Sequence, residues 1–382
     1  MAWKQAMSDI PQYDWDALAV ERKSPFLDWK WLRLLETSGS ASPYTGWYPR
    51  HLTLWSDGRL MAAAPLYLKV HSEGEFVFDH VWADVARRIG TRYYPKITGM
   101  SPFTPTGDYR FLIHPELDEK VVTARMCKAI RDLAQQSGLS GCSFHFIDPE
   151  WKELMARQGY AAWVHQSFVW ENPGYVDFND FLTAFNANQR KNIKRERRSI
   201  AEQGIRVELV QGNQVDKSVF DTMYQLYSLH NAKFGVWNCK YLFPQFFEGL
   251  FEQLSHTVLF AVARPKDTPG DILAMSMLVH KGDQLYGRYW GSFVDNPFLH
   301  FELCYYAPVQ WAIRHKIARF YPGMGGIHKV RRGFVSIPDY TLHHYFDPRL
   351  QMVMETNIDE INRLEKMEMD SLNRNLPFSR SG

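Results

Sequence analysis

Two stretches of the chain alternate apolar and polar positions in the same way. In residues 50–82 the turn Ser56-Asp57-Gly58 and a polar turn at 72–74 bracket β-rich runs, which predicts strands at 60–68 and 76–78 after a first short one. In residues 257–292 a Pro/Gly turn at 265–270 and the turn Lys281-Gly282-Asp283 bracket runs at 272–279 and 284–290. Both stretches read as antiparallel meanders. After the first come a long loop at 99–110, a strand near 111 and a helix over 118–137. That helix is marked by Val121, Val122, Met126, Ile130 and Leu133 at helical spacing. A strand at 142–147, a short helix at 149–158 and a strand at 161–170 follow. After the second come a helix at 301–315, a strand at 318–321, a glycine-rich loop at 323–326 and a strand near 339–346.

The pattern is an α+β module used twice, each a mixed, mostly antiparallel sheet flanked by helices. The expected boundaries are 1–170 for the first module, 171–348 for the second, and 349–382 for a C-terminal helix and tail. A chain of 382 residues with 45% hydrophobic and 23% charged composition agrees with an ordinary globular protein of two domains. Cys127, Cys142, Cys239 and Cys304 form no C-x-x-C pair, so neither a disulfide framework nor a zinc site is indicated, and no metal is expected. The first residues contain no apolar signal core, and no apolar run reaches membrane-spanning length. The expectation is a cytoplasmic protein without a transmembrane segment.

Charge changes this picture at one place. The formal net charge is only +2, yet residues 188–200, NQRKNIKRERRSI, hold Arg190, Lys191, Lys194, Arg195, Arg197 and Arg198 against the single acid Glu196. On a helix Arg190, Lys194 and Arg197 share one face with Arg198 at its edge, while Ile193 and Ile200 lie on an apolar stripe. Residues 178–185 are expected to open a helix that runs straight into this stretch. Arg190, Lys191, Lys194 and Arg197 are the candidate contacts for phosphates; the alternative is a solvated face.

Further candidates follow the second meander. Strict alternation puts Tyr286, Arg288 and Trp290 on one strand face, suited to a carboxylate or phosphate and a stacked planar group, or simply to an ion pair. His300 and Glu302 open the next helix and are the candidate catalytic pair. Glu302 serves as general base or amine-binding carboxylate and His300 as the alternative base, against a dipole partner and a core histidine. His328 and Lys329 follow Gly323-Met324-Gly325-Gly326, where a backbone can approach a phosphate. In the first module Asp79 follows the meander as a candidate acid or turn cap, and Pro102, Pro105 and Gly107 shape a loop.

Long collinear strings carry a resemblance: SPFLDWKWLRLLETSGS, FVFDHVWADVARRIGTRYYPKITGMSPFTPTGDYRFL, NQRKNIKRERRSI, LYGRYWGS, HFELCYYAPVQWAI and GGIHKVRRGFVSIPDYTLHHYF. Over residues 24–346 the chain resembles FemAB-like peptidoglycan biosynthesis/recognition proteins, within the tandem GNAT (GCN5-related N-acyltransferase) superfamily. The resemblance implies tandem GNAT-like modules and transfer of an acyl or aminoacyl group to an amine, such as one on a peptidoglycan precursor. Lys329 ahead of Arg332-Gly333-Phe334 matches a Fem-like placement that implies phosphate binding. The implied donor is aminoacyl-tRNA or acyl-CoA, with no tightly bound cofactor, and the partner is this phosphorylated donor or a nucleotide-linked acceptor. Unlike bacterial Fem ligases, the chain shows no long coiled-coil insertion, which weighs against tRNA. No serine nucleophile elbow is evident, so direct attack is expected rather than an acyl-enzyme. Competing readings are an acyl-CoA-dependent acetyltransferase of a small amine and a non-catalytic protein that binds precursor or RNA.

Overall fold

The computed structural model describes residues 1–235 and 238–379. The chain forms two compact units: Met1–His165 with Pro338–Met367, and Gln166–Ile337 with Glu368–Gly382. The boundary expected at 170/171 falls at 165/166, inside the strand Ala161–Glu171. Residues 338–348, expected in the second module, belong to unit 1, because Leu342–Tyr345 of the strand Val335–Tyr345 pair antiparallel with Phe144–Gly141. The C-terminal segment is one helix, Pro348–Arg374, which changes unit after Met367; residues 380–382 of the expected tail lie outside the described residues.

In unit 1 the strands Trp47–Pro49, Leu66–Lys69, Lys96–Gly99, Gly141–Phe144 and Val335–Tyr345 are neighbours in that order. The pair Lys96–Gly99 with Gly141–Phe144 is parallel. A second sheet orders Ala2–Lys4, His51–Ser56, Arg59–Ala64 and Leu112–Ile113. The strand expected at 76–78 does not form. Gly74 and Phe76 both take left-handed backbone, φ 80° and 55°, which breaks extension, and Lys96–Gly99 occupies that place in the sheet. The helix Glu119–Gln136 starts where the Asp118 carboxylate accepts the Lys120 and Val121 amides, at 2.8 and 3.3 Å. Its Val122, Met126 and Ile130 are buried, whereas Val121, expected on the apolar face, is 48% exposed.

In unit 2 the strands Ile205–Gln211, Val258–Pro265, Ala274–Lys281, Gln284–Ser292 and Arg319–Tyr321 are followed by the end of Ala161–Glu171. Residues 258–263 are buried without interruption, as a strand covered on both faces must be. The helices Lys217–Ala232 and Pro244–Leu254 bring Tyr227 and Phe247 against Tyr289 on one face. On the other face the Ser276 hydroxyl donates to the Leu303 carbonyl at 2.6 Å. The basic helix Ala187–Glu202 is separate from Phe178–Thr183 rather than continuous with it. Asn186 turns the chain and accepts the Gln189 amide at 3.0 Å, as Asp177 caps the shorter helix through the Asp180 amide at 2.8 Å. Ile193 and Ile200 are buried, as the apolar stripe requires. Among the described residues no helix is long and apolar enough to cross a membrane.

Candidate functional site

Unit 2 contains a parted pair of strands. Gln284–Ser292 and Arg319–Tyr321 run parallel but pair only over Gln284–Tyr286. The last pair is fixed by Tyr286 stacked on Tyr321, with centroids 5.3 Å apart and planes 9° off parallel. Pro322 then removes a donor from the ladder, and Gly287 lies so close to it that a Cβ would sit 3.1 Å from the Pro322 oxygen. Among the described residues, 287–292 therefore keep ladder partners only on the Ala274–Lys281 side.

A bulge corrects the expected side-chain alternation. Leu278 pairs with Gly287 and Met277 with Tyr289, so Arg288 is the extra residue. Tyr286 and Tyr289 consequently share one face, and Trp290 turns to the opposite one, instead of Tyr286, Arg288 and Trp290 lying together. The Arg288 guanidinium contacts its neighbour, donating to the Tyr289 hydroxyl at 3.1 Å.

Trp290 meets the helix that follows the strand, where His300 packs 4.8 Å from its ring centroid. His300 also lies 5.3 Å from Tyr305 and 5.6 Å from His328, and the Tyr305 hydroxyl is 2.9 Å from His328 Nε2. Burial pushes both imidazoles down, His300 to about 3 and His328 to about 4, with nearby cationic groups adding to the effect. Both are neutral at pH 7.

Glu302–Tyr306 is a π turn. Pro308 in the next helical segment has no N–H to return to the preceding turn, and the widened turn absorbs that mismatch. Glu302 and Tyr306 reach the basic helix from here. Arg197 Nε donates to both Glu302 oxygens at 3.1 and 2.9 Å, and its Nη2 donates to Glu302 and Gln310 at 2.8 Å each. The carboxylate expected to act as base is thus 4% exposed and held by a guanidinium; burial raises its pKa and Arg197 opposes the rise. Together they line a groove of about 610 Å³ with Gln211, Trp311 and Arg314.

The basic helix divides into inward and outward groups. Glu196 is buried, accepts the Tyr306 hydroxyl at 2.6 Å and pairs with Arg332 at 3.3 Å. Arg332 in turn lies 3.3 Å from the Phe301 ring centroid. Arg190 donates to the Phe185 carbonyl at 3.0 Å. Lys191, Lys194, Arg195 and Arg198 are exposed. Of the four expected phosphate contacts, Arg190 and Arg197 are engaged internally, and Lys191 and Lys194 face solvent. Lys329, expected at a phosphate, is 2% exposed. Its ammonium donates to the carbonyls of Gly323, Met324 and Gly325, the first two at 2.7 and 2.9 Å, so it ties the glycine loop together. Burial pushes its pKa down to about 7.

A family model described as FemAB-like, peptidoglycan biosynthesis/recognition, matches residues 6–380. The chain belongs to the FemAB-like family. Among solved structures it is similar to FemX, at 12% identity and TM-score 0.55, covering 93% of this chain and 100% of that one. It is also similar to L-PGS from Bacillus licheniformis, at 12% identity and TM-score 0.52, covering 97% and 98%. A third is the C-terminal domain of a putative lysylphosphatidylglycerol synthetase from Agrobacterium fabrum, at 13% identity and TM-score 0.52, covering 91% and 95%. At such identities the likeness is one of fold, and the fold of this FemAB-like protein is the tandem GNAT-like one. No curated protein matches the sequence.

Unit 1 of the FemAB-like chain holds a polar centre that the residue pattern did not reveal. Lys96 lies 3.0 Å from Asp79 and 3.5 Å from Glu75, and His145 Nε2 lies 3.3 Å from Glu75. Glu75, Lys96 and His145 are 0% exposed. Thr98 donates to Glu75 at 2.9 Å, and the Tyr94 hydroxyl bridges Glu75 and Asp79 at 3.2 Å each. Burial would raise the Glu75 pKa, but Lys96 and His145 more than offset it and hold the carboxylate ionised. Asp79, the candidate acid or cap, is a partner of Lys96 here. Its helix, His80–Arg88, shows no side-chain cap from Asp79. Alternating lysine with isoleucine and threonine at 96–99 looks like an ordinary edge strand, so sequence offers no sign that Lys96 points into the core.

Proposed function

We propose that this FemAB-like protein transfers an acyl or aminoacyl group from a phosphate-bearing donor to an amine, by direct attack at the parted strands of unit 2. The observation that carries the reading is the separation of Gln284–Ser292 from Arg319–Tyr321 after Tyr286. A strand edge without a ladder partner presents backbone N–H groups to a carbonyl oxygen that gains negative charge during attack. The amine nitrogen bonds to the donor carbonyl carbon, the bond from that carbon to the donor sulfur or oxygen breaks, and the leaving group takes a proton. A neutral imidazole, His300 beside Trp290 or His328 packed against His300, receives the proton lost by the amine and, being strongly acidic once charged in this buried place, passes it at once to the leaving group. Glu302 fixes the π turn through Arg197, and Lys329 fixes the glycine loop. Cys304, in the same π turn, has its thiol pushed up by burial and stays protonated, which favours direct attack over a thioester intermediate.

The family description and the likeness to FemX favour a peptidoglycan precursor as the source of the amine. Exposed Lys191 and Lys194 are suited to the phosphates of aminoacyl-tRNA or acyl-CoA. Labelled aminoacyl-tRNA and labelled acetyl-CoA, each offered with a panel of amines that includes peptidoglycan precursors, test the reading. One donor should label an amine product, and His300→Gln or His328→Gln should lower that rate by roughly 10²–10⁴-fold for whichever ring takes the proton. Label transferred from neither donor would leave the protein a binder rather than a transferase.

A further inference from the structure

The two imidazoles beside the parted strands are bonded differently, and the difference assigns them different work. His300 and Tyr305 are five positions apart, which on a regular α-helix turns side chains about 140° away from each other. The π turn Glu302–Tyr306 adds a residue to the turn and brings the two rings to 5.3 Å. Both pack against His328, each with centroids 5.6 Å away. His328 follows the glycine loop that starts where the strands part. Its ring lies over Gly326, where a Cβ would stand 2.5 Å from Cε1, so the missing side chain leaves room for it.

The Tyr305 hydroxyl is 2.9 Å from His328 Nε2 and has no other hydrogen-bond partner among the described residues. Tyr305 is 3% exposed, and burial pushes its phenol up, so the O–H is kept at pH 7. If His328 Nε2 carried the ring proton, it would donate to the phenol oxygen. The buried O–H would then be left without an acceptor, at a cost of about 1–3 kcal/mol. With the proton on Nδ1 the phenol donates to Nε2, and Nδ1–H remains as a donor on a half-buried ring. His300 is different. Its ring touches Trp290, Phe301, Tyr305 and His328, and neither of its nitrogens has a hydrogen-bond partner among the described residues.

We propose that His328 donates a hydrogen bond through Nδ1 to the reacting carbonyl oxygen, that Tyr305 is the positioning residue that fixes this tautomer, and that His300 alone is the base. The assignment rests on the transfer reaction placed in unit 2. As the amine nitrogen bonds to the carbonyl carbon, the oxygen takes the electron pair and meets His328 Nδ1–H and the strand-edge amides. His300 takes the amine proton and hands it to the departing sulfur or oxygen as the carbonyl re-forms. His328 and Tyr305 keep their protons throughout, so both rings end the step neutral.

Full-length protein labelled with ¹⁵N-histidine tests the tautomer at pH 7 without turnover. The ring signals lost in His328→Asn should show a protonated Nδ1 and a bare Nε2, and Tyr305→Phe should move them toward a mixture of tautomers. A protonated Nε2 in the unaltered protein overturns the proposal. Turnover with the donor that labels an amine tests the roles. Asparagine offers an N–H near the place of Nδ1 but cannot take a proton, so His328→Asn should stay within about tenfold of the unaltered rate. His328→Ala should lose roughly 10²–10³-fold and His300→Asn roughly 10²–10⁴-fold. Tyr305→Phe should lower kcat by about five- to tenfold with KM unchanged. Equal losses in His328→Asn and His328→Ala, or an unaltered rate in His300→Asn, overturn the assignment. Label transferred from neither donor overturns the role at the carbonyl along with the transfer reading, and the spectrum alone then decides whether Tyr305 fixes the ring.

Discussion

Both units carry a parallel strand pair, yet they finish it in opposite ways. In unit 1 the chain returns at Asp108 and Tyr109 to close the end of the pair, and Glu75, Asp79, Lys96 and His145 are sealed beside it. In unit 2 Pro322 and the glycine loop prevent closure, and the ionic groups Glu196, Arg197, Glu302 and Arg332 lie on the covering helices and the turn beside them. The same scaffold therefore yields a polar core in one unit and an open strand edge in the other. The difference turns on a few residues after the last paired position: a loop long enough to return, or a proline that cannot donate.

If the sealed charges of unit 1 depend on one another, removing one should be the most damaging change. Lys96→Met leaves two buried carboxylates without their nearest cation and should lower stability by about 3–5 kcal/mol, read from the urea midpoint. Arg197→Met in unit 2 strands only Glu302 and removes a side chain that is 29% exposed, so a smaller loss of about 1–3 kcal/mol is expected. Equal losses, or a larger one for Arg197→Met, would break the comparison.

A second contrast sets a buried carboxyl with a cation against one without. Glu302 has Arg197; Asp339 of unit 1 accepts the Tyr340 amide at 2.9 Å, and among the described residues no cation contributes to its environment. Burial raises Asp339 from 3.8 to about 7. Because the folded chain holds this proton more tightly than the unfolded one, its contribution is complete below about pH 4 and is lost as pH rises through about 7. Asp339→Asn keeps an acceptor for the amide and carries no charge. It should remove that loss, raising stability at pH 8 by on the order of 2–4 kcal/mol with little effect at pH 4. Parallel pH–stability curves for the two proteins would refute the assignment.

The second meander, the helix after each and the tandem architecture were legible because periodicity and turn residues act locally; the first meander differs, since the run expected at 60–68 divides into Arg59–Ala64 and Leu66–Lys69 in two different sheets and 76–78 forms no strand. The helix Glu119–Gln136 and the buried Ile193 and Ile200 follow directly from spacing. What sequence hid is set by tertiary pairing. The bulge at Arg288 reverses the side of Trp290, and nothing in LYGRYWGS marks which residue is extra. Glu302 looked available because its partner Arg197 is 105 positions away. Val335–Tyr345 changes unit because its partner strand was formed some two hundred positions earlier, a fact no local window contains. The network of Glu75, Lys96 and His145 escaped notice for the same reason.

The weakest effect on folding should come from the outward residues of the basic helix, and it decides whether the charge of unit 2 is functional. Lys191 and Lys194 are exposed, so Lys191→Gln with Lys194→Gln should change stability by no more than about 0.5 kcal/mol. Arg190 and Arg197 serve this purpose poorly, since each already bonds within the unit, and their loss would mix folding with binding. If the two lysines meet phosphates of a single-stranded acceptor end, the log–log slope of tRNA affinity against salt should fall by about 0.7 for each contact removed, or roughly 1.4 in the double variant. An acyl-CoA donor predicts a different result: tRNA binding that is weak and unaltered, with the Michaelis constant for acyl-CoA raised instead. A double variant that changes neither returns these lysines to the role of a solvated helix face, and the outward charge of unit 2 would then be no more functional than the surface of unit 1.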